Sequence, residues 1–426
     1  MRIRKLVILL WFLLPTQLLL AQEPATIEQC QQWARDFHPL LKQQEIYQKM
    51  SALKLENNVT NYLPQIDLKA QATYQSEVTK IGISLPNMSI PEISKDQYKM
   101  YLDVKQTIWD GGLTKANEIL ERAKEKANIQ GVEVELYKVR EQVNRLFFTS
   151  FLIQQNLELL LKKQEALDSR KSQMETAVEQ GMLLASELDQ ILAERIKVKQ
   201  QQIELRSHRE TVLSALSILT GKPLDDLQNL TIETVEFSPD NDLHRPELKL
   251  FETQTDLLAA SSDLLRKKRN PKLFGFGQAG YGRPGLNMLN NDFGVYGLVG
   301  VGLNWAVFDW KNTRREREVI QLQQQLINAQ QQHFERNVNV ALDGEYRKIK
   351  QLENILESDR ELIELQERIT RSSASKLENG TLTSSDYIQD LNAEIAARIT
   401  LETHKIQVEA AKINYQTIKG NNNKNR

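Results

Sequence analysis

The chain has little of what catalysis and cofactor binding require. Its 426 residues include one cysteine and five histidines. Cys30 can form no intramolecular disulfide and has no CxxC partner for zinc or redox chemistry. His38, His208, His244, His333 and His404 show no HxxxH or HExxH spacing, and the internal methionines are scattered rather than clustered as a copper lining would need. No nucleophile elbow and no isolated carboxylate pair stands out. Gly275, Gly277 and Gly280 spell G-x-G-x-x-G, but a strand pattern runs through them and no helix starts there, so they read as small residues of a strand. Charge of one sign is also lacking. With 55 basic against 56 acidic side chains there is no surplus to neutralise a nucleic-acid backbone. A mean hydropathy of -0.48 excludes a bundle of apolar membrane helices. The expectation is a protein without enzymatic activity, cofactor, metal or nucleic-acid partner.

The one long apolar run is at the start. MRIRK is basic, LVILLWFLLPTQLLL is apolar and broken by Pro15, and Ala21 precedes polar sequence, so residues 1–21 read as a cleaved signal peptide rather than an anchor. Cys30 lies nine residues beyond Ala21, which leaves no cysteine at the mature end for a lipid anchor.

What is present is a duplication. Pro39 and Pro246 differ by 207 positions, as do Pro64 and Pro271; Asp110 and Asp309 differ by 199, as do Gly181 and Gly380. One change of 8 in the offset places the extra residues of the first half in the Ser/Pro/Gly-rich stretch 79–96. The repeats span residues 22–219 and 244–418, joined by 220–243, with 419–426 a disordered tail.

Each half changes period in the same order. Residues 40–62 read as a helix that Pro64 stops. Then Ile66, Leu68, Ala70, Ala72 and Tyr74 alternate with polar residues, as do Tyr98, Met100, Leu102, Val104, Gln106 and Ile108, giving a hairpin over 65–109. LFGFGQAGYG and FGVYGLVGVGLNWAVF repeat this over 272–308. The runs are about the 9 to 11 residues of a tilted membrane strand, and aromatics sit near their ends. Strand patterns alone are equally compatible with a soluble sheet.

After Asp110, a candidate N-cap, helical periodicity runs to about Gln180. Val132, Leu136, Val139, Val143, Leu146, Ser150, Ile153, Leu157, Leu160, Gln164 and Leu167 form a heptad seam, matched by Val338, Leu342, Ile349, Leu352 and Leu356. Such a helix is about 100 Å long, wider than any compact domain. Gly181 and Gly380, in EQGMLLASELD and ENGTLTSSDYI, read as reversals into a returning helix. Four strands cannot close a barrel, since the smallest single-chain bacterial barrels have 8 and an open edge in lipid leaves amides unpaired. If the strands span a membrane, the chain must oligomerise.

The order of elements resembles the TolC-like outer membrane efflux protein family. The resemblance rests on PQI at 64–66, QTIWDGG at 106–112, its counterpart LNWAVFDW at 303–310, and the paired G-x-x-x-x-S-[ED] turns, and it covers the mature chain. It implies a mainly α fold with a membrane β-barrel contribution: a homotrimer with a twelve-stranded outer-membrane barrel continued by a helical barrel into the periplasm of a Gram-negative bacterium. It further implies a passive duct gated at its periplasmic tip and met there by a periplasmic adaptor and an inner-membrane pump. The family's acidic tip position corresponds to Asp386, with Glu187 its repeat partner; the next acidic site is Gln389 here, with Asp390 one step later. Both acids also suit a helix start, where they favour the positive end of the helix dipole. The candidate adaptor contacts are the turns 181–186 and 380–385, with Gly181, Leu183, Ser186, Gly380, Leu382 and Ser385. Trp310 and Lys311 replace Gly111 and Gly112, which suggests less backbone freedom at that barrel exit. The competing architecture is a solid trimeric coiled-coil stalk on a small barrel.

Overall fold

In a computed structural model the described residues are 25–79, 93–224, 230–232, 237 and 242–420. The expected signal peptide 1–21, most of the stretch 79–96 expected as a loop, much of the expected inter-repeat segment 220–243 and residues 421–426 lie outside them. The elements follow the order α1 (Ile27–Phe37), α2 (Leu41–Val59), a 3-10 turn (Thr60–Tyr62), β1 (Gln65–Tyr74), β2 (Asp96–Trp109), α3 (Leu113–Glu179), α4 (Ala185–Thr220), α5 (Pro246–Lys268), β3 (Lys272–Arg283), β4 (Gly294–Asn304), α6 (Asn312–Glu378) and α7 (Ser384–Lys419).

Three boundaries differ from the sequence expectation. Helix α1 precedes the first expected helix: Thr26 and Gln29 form a reciprocal capping box, and Ile27, Cys30 and Ala34 bury one narrow face. Its pattern is too short to stand out, and it is held by docking on α3 and α4. The second hairpin ends at Asn304, not Phe308, because Asn304 pairs with Lys272 and the preceding Pro271 has no N–H to extend the ladder. The expected tail begins two residues too early. Lys419 is buried, and Gly420 closes α7 at φ 95°, where a Cβ would lie 2.4 Å from the backbone of His244.

The four strands make one antiparallel sheet in the order β1-β2-β3-β4, so the two hairpins join through β2 and β3. The register collects the alternating residues into two faces. Ile66 lies opposite Val104, Leu68 opposite Leu102, Leu102 opposite Ala279, Tyr281 opposite Val295, and Leu273 opposite Leu303, which makes one face apolar across all four strands. The other face carries Lys69 paired with Asp103, the Gln278 amide donating to Asp103 at 3.0 Å, and the Lys105 ammonium 4.5 Å from the Phe274 ring centroid. Phe274 and Phe276 lie over Gly302 and Gly300, where any Cβ would meet a ring.

Helices α3 and α6 have 67 residues each, about 100 Å at 1.5 Å per residue. Near the sheet, α3 is flanked by α2 and α5, and α5 in turn by α6; further along, α4 returns on α3 and α7 on α6. Of the expected seam, only Leu146, Gln164 and Leu356 are less than buried. It feeds a mid-length core where α1, Val143, Phe147, Leu216 and Ile413 meet, and a distal core around Leu167, Met174, Ile191, Val198 and Leu391. A buried polar chain ties the middle together: Gln31 donates to Asn144 at 2.5 Å, Asn144 to the Thr417 hydroxyl at 2.9 Å, and Tyr137 to the Thr417 carbonyl at 2.6 Å. Burial pushes the Cys30 thiol up to about 12, so it stays protonated and packs as a small apolar side chain.

Candidate functional site

Two regions stand out: the sheet with its edges, and the distal end where all four long helices turn. On the sheet, nothing among the described residues packs on the apolar face. Val295 and Val299 are 85% and 88% exposed, and Ile66 and Leu68 on β1 are also exposed. β1 and β4 each have one edge unpaired among the described residues. An open, apolar-faced sheet of this kind is not a stable surface in water. Among the described residues no helix is long and apolar enough to cross a membrane.

Each strand-to-helix corner is set by an aspartate. Helix α3 starts at Leu113, not next to Asp110, yet Asp110 still caps it: its carboxylate accepts from Gly112 N at 2.8 Å and Thr114 N at 2.5 Å. Asp309 accepts from Lys311 N at 3.1 Å and Thr313 N at 3.0 Å in the same way. Burial raises the Asp110 carboxyl, but bonds from Thr114, Tyr62 and Gly112 outweigh it and hold the group below its ordinary range. Gly111 and Gly112 have φ of 69° and 85°, and Trp310 and Lys311 have 53° and 63°. The substituted corner therefore keeps the left-handed conformation, at a cost of about 1–2 kcal/mol per non-glycine residue.

At the distal end, Met182 N donates to the Ala177 carbonyl and Gly181 N to that of Val178; Thr381 N donates to Lys376 and Gly380 N to Leu377. These are paired Schellman closures with left-handed glycines at φ 71° and 68°. Gly181, Ser186, Gly380 and Ser385 are exposed. Leu183 and Leu382 turn inward onto the distal core. The apolar side chains presented to solvent at the first turn are instead Met182 and Leu184.

The structure does not bring the acidic candidates together as a cluster. Glu187 reaches across from α4 and accepts from Ser384 N, the first amide of α7, at 2.7 Å. Asp386 closes its own helix start, accepting from the Thr383 hydroxyl at 2.7 Å while Thr383 accepts from Asp386 N at 3.2 Å. Asp390 is held against α6 by Ser373, with Thr370 donating to its carbonyl at 3.2 Å. Gln389 is exposed.

Sequence reasoning missed Arg170. Its guanidinium pairs with Glu378 on α6 and lies 5.5 Å from the ring centroid of Tyr387 on α7, so one α3 side chain holds both helices of the second half. Burial lowers it, but Glu378 and Tyr387 more than compensate and raise it overall. Also missed was the buried pair Lys163–Glu194 at 2.6 Å, which fixes α3 to α4. Burial raises Glu194, but Lys163 holds it below the ordinary carboxylate range. Neither arrangement has a spacing signal, because the partners lie 208 and 31 residues apart.

No protein-family model and no curated protein matches the sequence. Solved structures do match. The outer membrane protein VceC of Vibrio cholerae superposes with TM-score 0.66 at 13% identity, over 92% of this chain and 96% of that one. The CmeC outer membrane channel of Campylobacter jejuni gives 0.62 at 17%, over 92% and 85%. The MtrE outer membrane channel of Neisseria gonorrhoeae gives 0.65 at 12%, over 92% and 89%. At such identities what is shared is the fold: mainly helical with a small antiparallel sheet, the TolC-like channel fold.

Proposed function

We propose that this chain is the outer-membrane channel of a tripartite efflux or type I secretion system, a passive homotrimeric duct from the periplasm through the outer membrane. The observation that carries the reading is the four-stranded sheet with one exposed apolar face, one polar face and two open edges, continuous with helices about 100 Å long. Three copies would pair β4 of each with β1 of the next, leaving no open edge, with the apolar face to lipid and the Lys69–Asp103 face to the lumen.

The helices support the same closure. α2 flanks one side of the chain with exposed Ile46, Met50 and Leu53, and α4 adds Ile196 and Ile203. α6 flanks the other side with exposed Val319, Leu322 and Leu326 and, further on, Leu362, Leu365 and Ile369. These stripes match in height and chemistry, as an interface between copies requires. Residues 1–21 would be the export signal, and the two halves a duplicated unit. An adaptor would meet the exposed distal turns, with energy supplied by an inner-membrane pump.

The gate would be the distal end, where Glu187 to Ser384 N and Arg170 to Glu378 and Tyr387 hold the two reversals together. The test is single-channel recording on the full-length protein in planar bilayers, with particle symmetry from electron microscopy. A threefold hollow particle is expected, with low resting conductance that rises when Glu187→Ala and Asp386→Ala are combined. A solid rod or a compact monomer would overturn the duct, and unchanged conductance would remove the gating role from these acids.

A further inference from the structure

The two halves differ most in charge at the end of the sheet where strands become helices. Residues 263–272 and 309–318 carry nine basic and four acidic side chains. Their counterparts in the first half, residues 56–65 and 110–119, carry one basic and three acidic. The duplication therefore does not explain the surplus, and the near-neutral total charge of the chain hides it.

The acidic residues do not absorb it. Asp263 pairs with Arg266 at 2.5 Å, Asp309 with Arg269 at 3.7 Å, and Glu318 with Arg314 at 3.0 Å. Lys267, Lys268, Lys311 and Arg315 have no acidic partner among the described residues, Lys272 lies on the polar face of β3, and Arg317 bonds only the Ser262 hydroxyl at 3.2 Å. Between the end of α5 and the start of α6 lies a cavity of about 470 Å³ lined by Arg266, Arg269, Arg314 and Arg317, with one carboxylate, Glu318, also on its wall. At about 100° per residue, Arg314, Arg317 and Gln321 share one face of α6, turned roughly 140° from Val319, Leu322 and Leu326. The basic face is thus not the edge that would be covered by a neighbouring copy.

A second observation fixes what the surplus meets. Between the apolar sheet and the basic cluster, Trp305, Phe308 and Trp310 are 55%, 68% and 78% exposed. Apolar strand, exposed aromatics, then unpaired Lys and Arg is the order of a membrane boundary read from hydrocarbon to headgroup.

We propose that this cluster binds the phosphate headgroups of anionic phospholipid in the periplasm-facing leaflet of the outer membrane, one patch per chain on the second repeat. The arginines supply bidentate phosphate donors around the cavity, and the unpaired lysines supply the surrounding field. The inference rests on the channel reading.

The experiment extracts the full-length protein from bilayers of phosphatidylethanolamine with a minor share of phosphatidylglycerol and measures retained lipid by native mass spectrometry. Retained phosphatidylglycerol should exceed its share of the bilayer several-fold. Arg314→Gln with Arg317→Gln should cut that enrichment by about fivefold or more, and Arg314→Lys with Arg317→Lys, which keeps the charge but not the bidentate donors, should fall between the two. Both residues are exposed, so assembly and conductance should not change. Retention at bilayer proportions, or enrichment unchanged in the Gln variant, would overturn the proposal while leaving an inserted channel intact. Displacement of the lipid by excess inorganic phosphate would overturn it too, since the site would then read free anions. Failure of the wild type to insert would instead overturn the channel reading beneath it.

Discussion

Gly111 and Gly112 sit side by side in the same left-handed conformation, yet they tolerate a side chain very differently. A Cβ on Gly111 would lie 2.4 Å from the Cβ of Asn270 and 2.9 Å from the Pro271 carbonyl, whereas one on Gly112 would find nothing nearer than Lys267 Cδ at 3.7 Å. Gly112→Ala should cost about 1–2 kcal/mol, the conformational term alone. Gly111→Ala should cost roughly 3 kcal/mol or more, because the corner must also move. Thermal unfolding of the two variants in detergent checks this, and equal losses would show that contact with Asn270 does not shape the corner. The sequence marks this position only through its aspartate and glycines. That Trp310 and Lys311 adopt the same conformation follows from the Asp309 bonds, which hold the corner whatever follows the acid.

At the scale of elements, the long helices were legible because a heptad seam runs through dozens of residues, and the reversals because glycine is followed by a fresh helix start. The seam names the buried stripe but not the polar groups that lock one helix to the next. Lys163 and Glu194 are 7% and 9% exposed, and without Lys163 the buried Glu194 keeps only the largely exposed Lys197, at 3.5 Å. Lys163→Met should destabilise the protein by about 3–5 kcal/mol, and Lys163→Met with Glu194→Leu should recover most of it. Denaturant unfolding of the four forms gives the cycle; additive losses would mean that the pair is not coupled. Because the folded carboxyl is depressed, its contribution is complete above its unfolded value near 4.3 and is lost as pH falls through the lower folded value. Wild type should therefore lose stability below about pH 4 more steeply than the double variant.

For the whole molecule, the strongest constraint is how much apolar surface one copy leaves uncovered. Leu322 and Leu326 lie on the side of α6 that no described residue covers, and both are well exposed. In the trimeric reading they meet the exposed Ile46, Met50 and Leu53 of α2 in the next copy. Leu322→Lys with Leu326→Lys should shift the detergent-solubilised protein from trimer toward monomer in analytical ultracentrifugation without loss of helix content. A trimer of unchanged stability would place the interface elsewhere.

The sequence by itself determined the kinds of element and their order, because period-two and heptad patterns are local and each persists over many residues. It also located the reversals and showed that four strands are too few to close a barrel within one chain. Only the tertiary structure decided how the elements meet. Strand register joined the hairpins through β2 and β3 and gathered the alternating residues of all four strands into one apolar face. Packing brought Arg170 to Tyr387 and Glu187 to the start of α7, and set Arg266, Arg269, Arg314 and Arg317 from two separate segments around one cavity. Contacts between residues far apart in the chain depend on the relative placement of whole helices, and no spacing rule within a single segment encodes that.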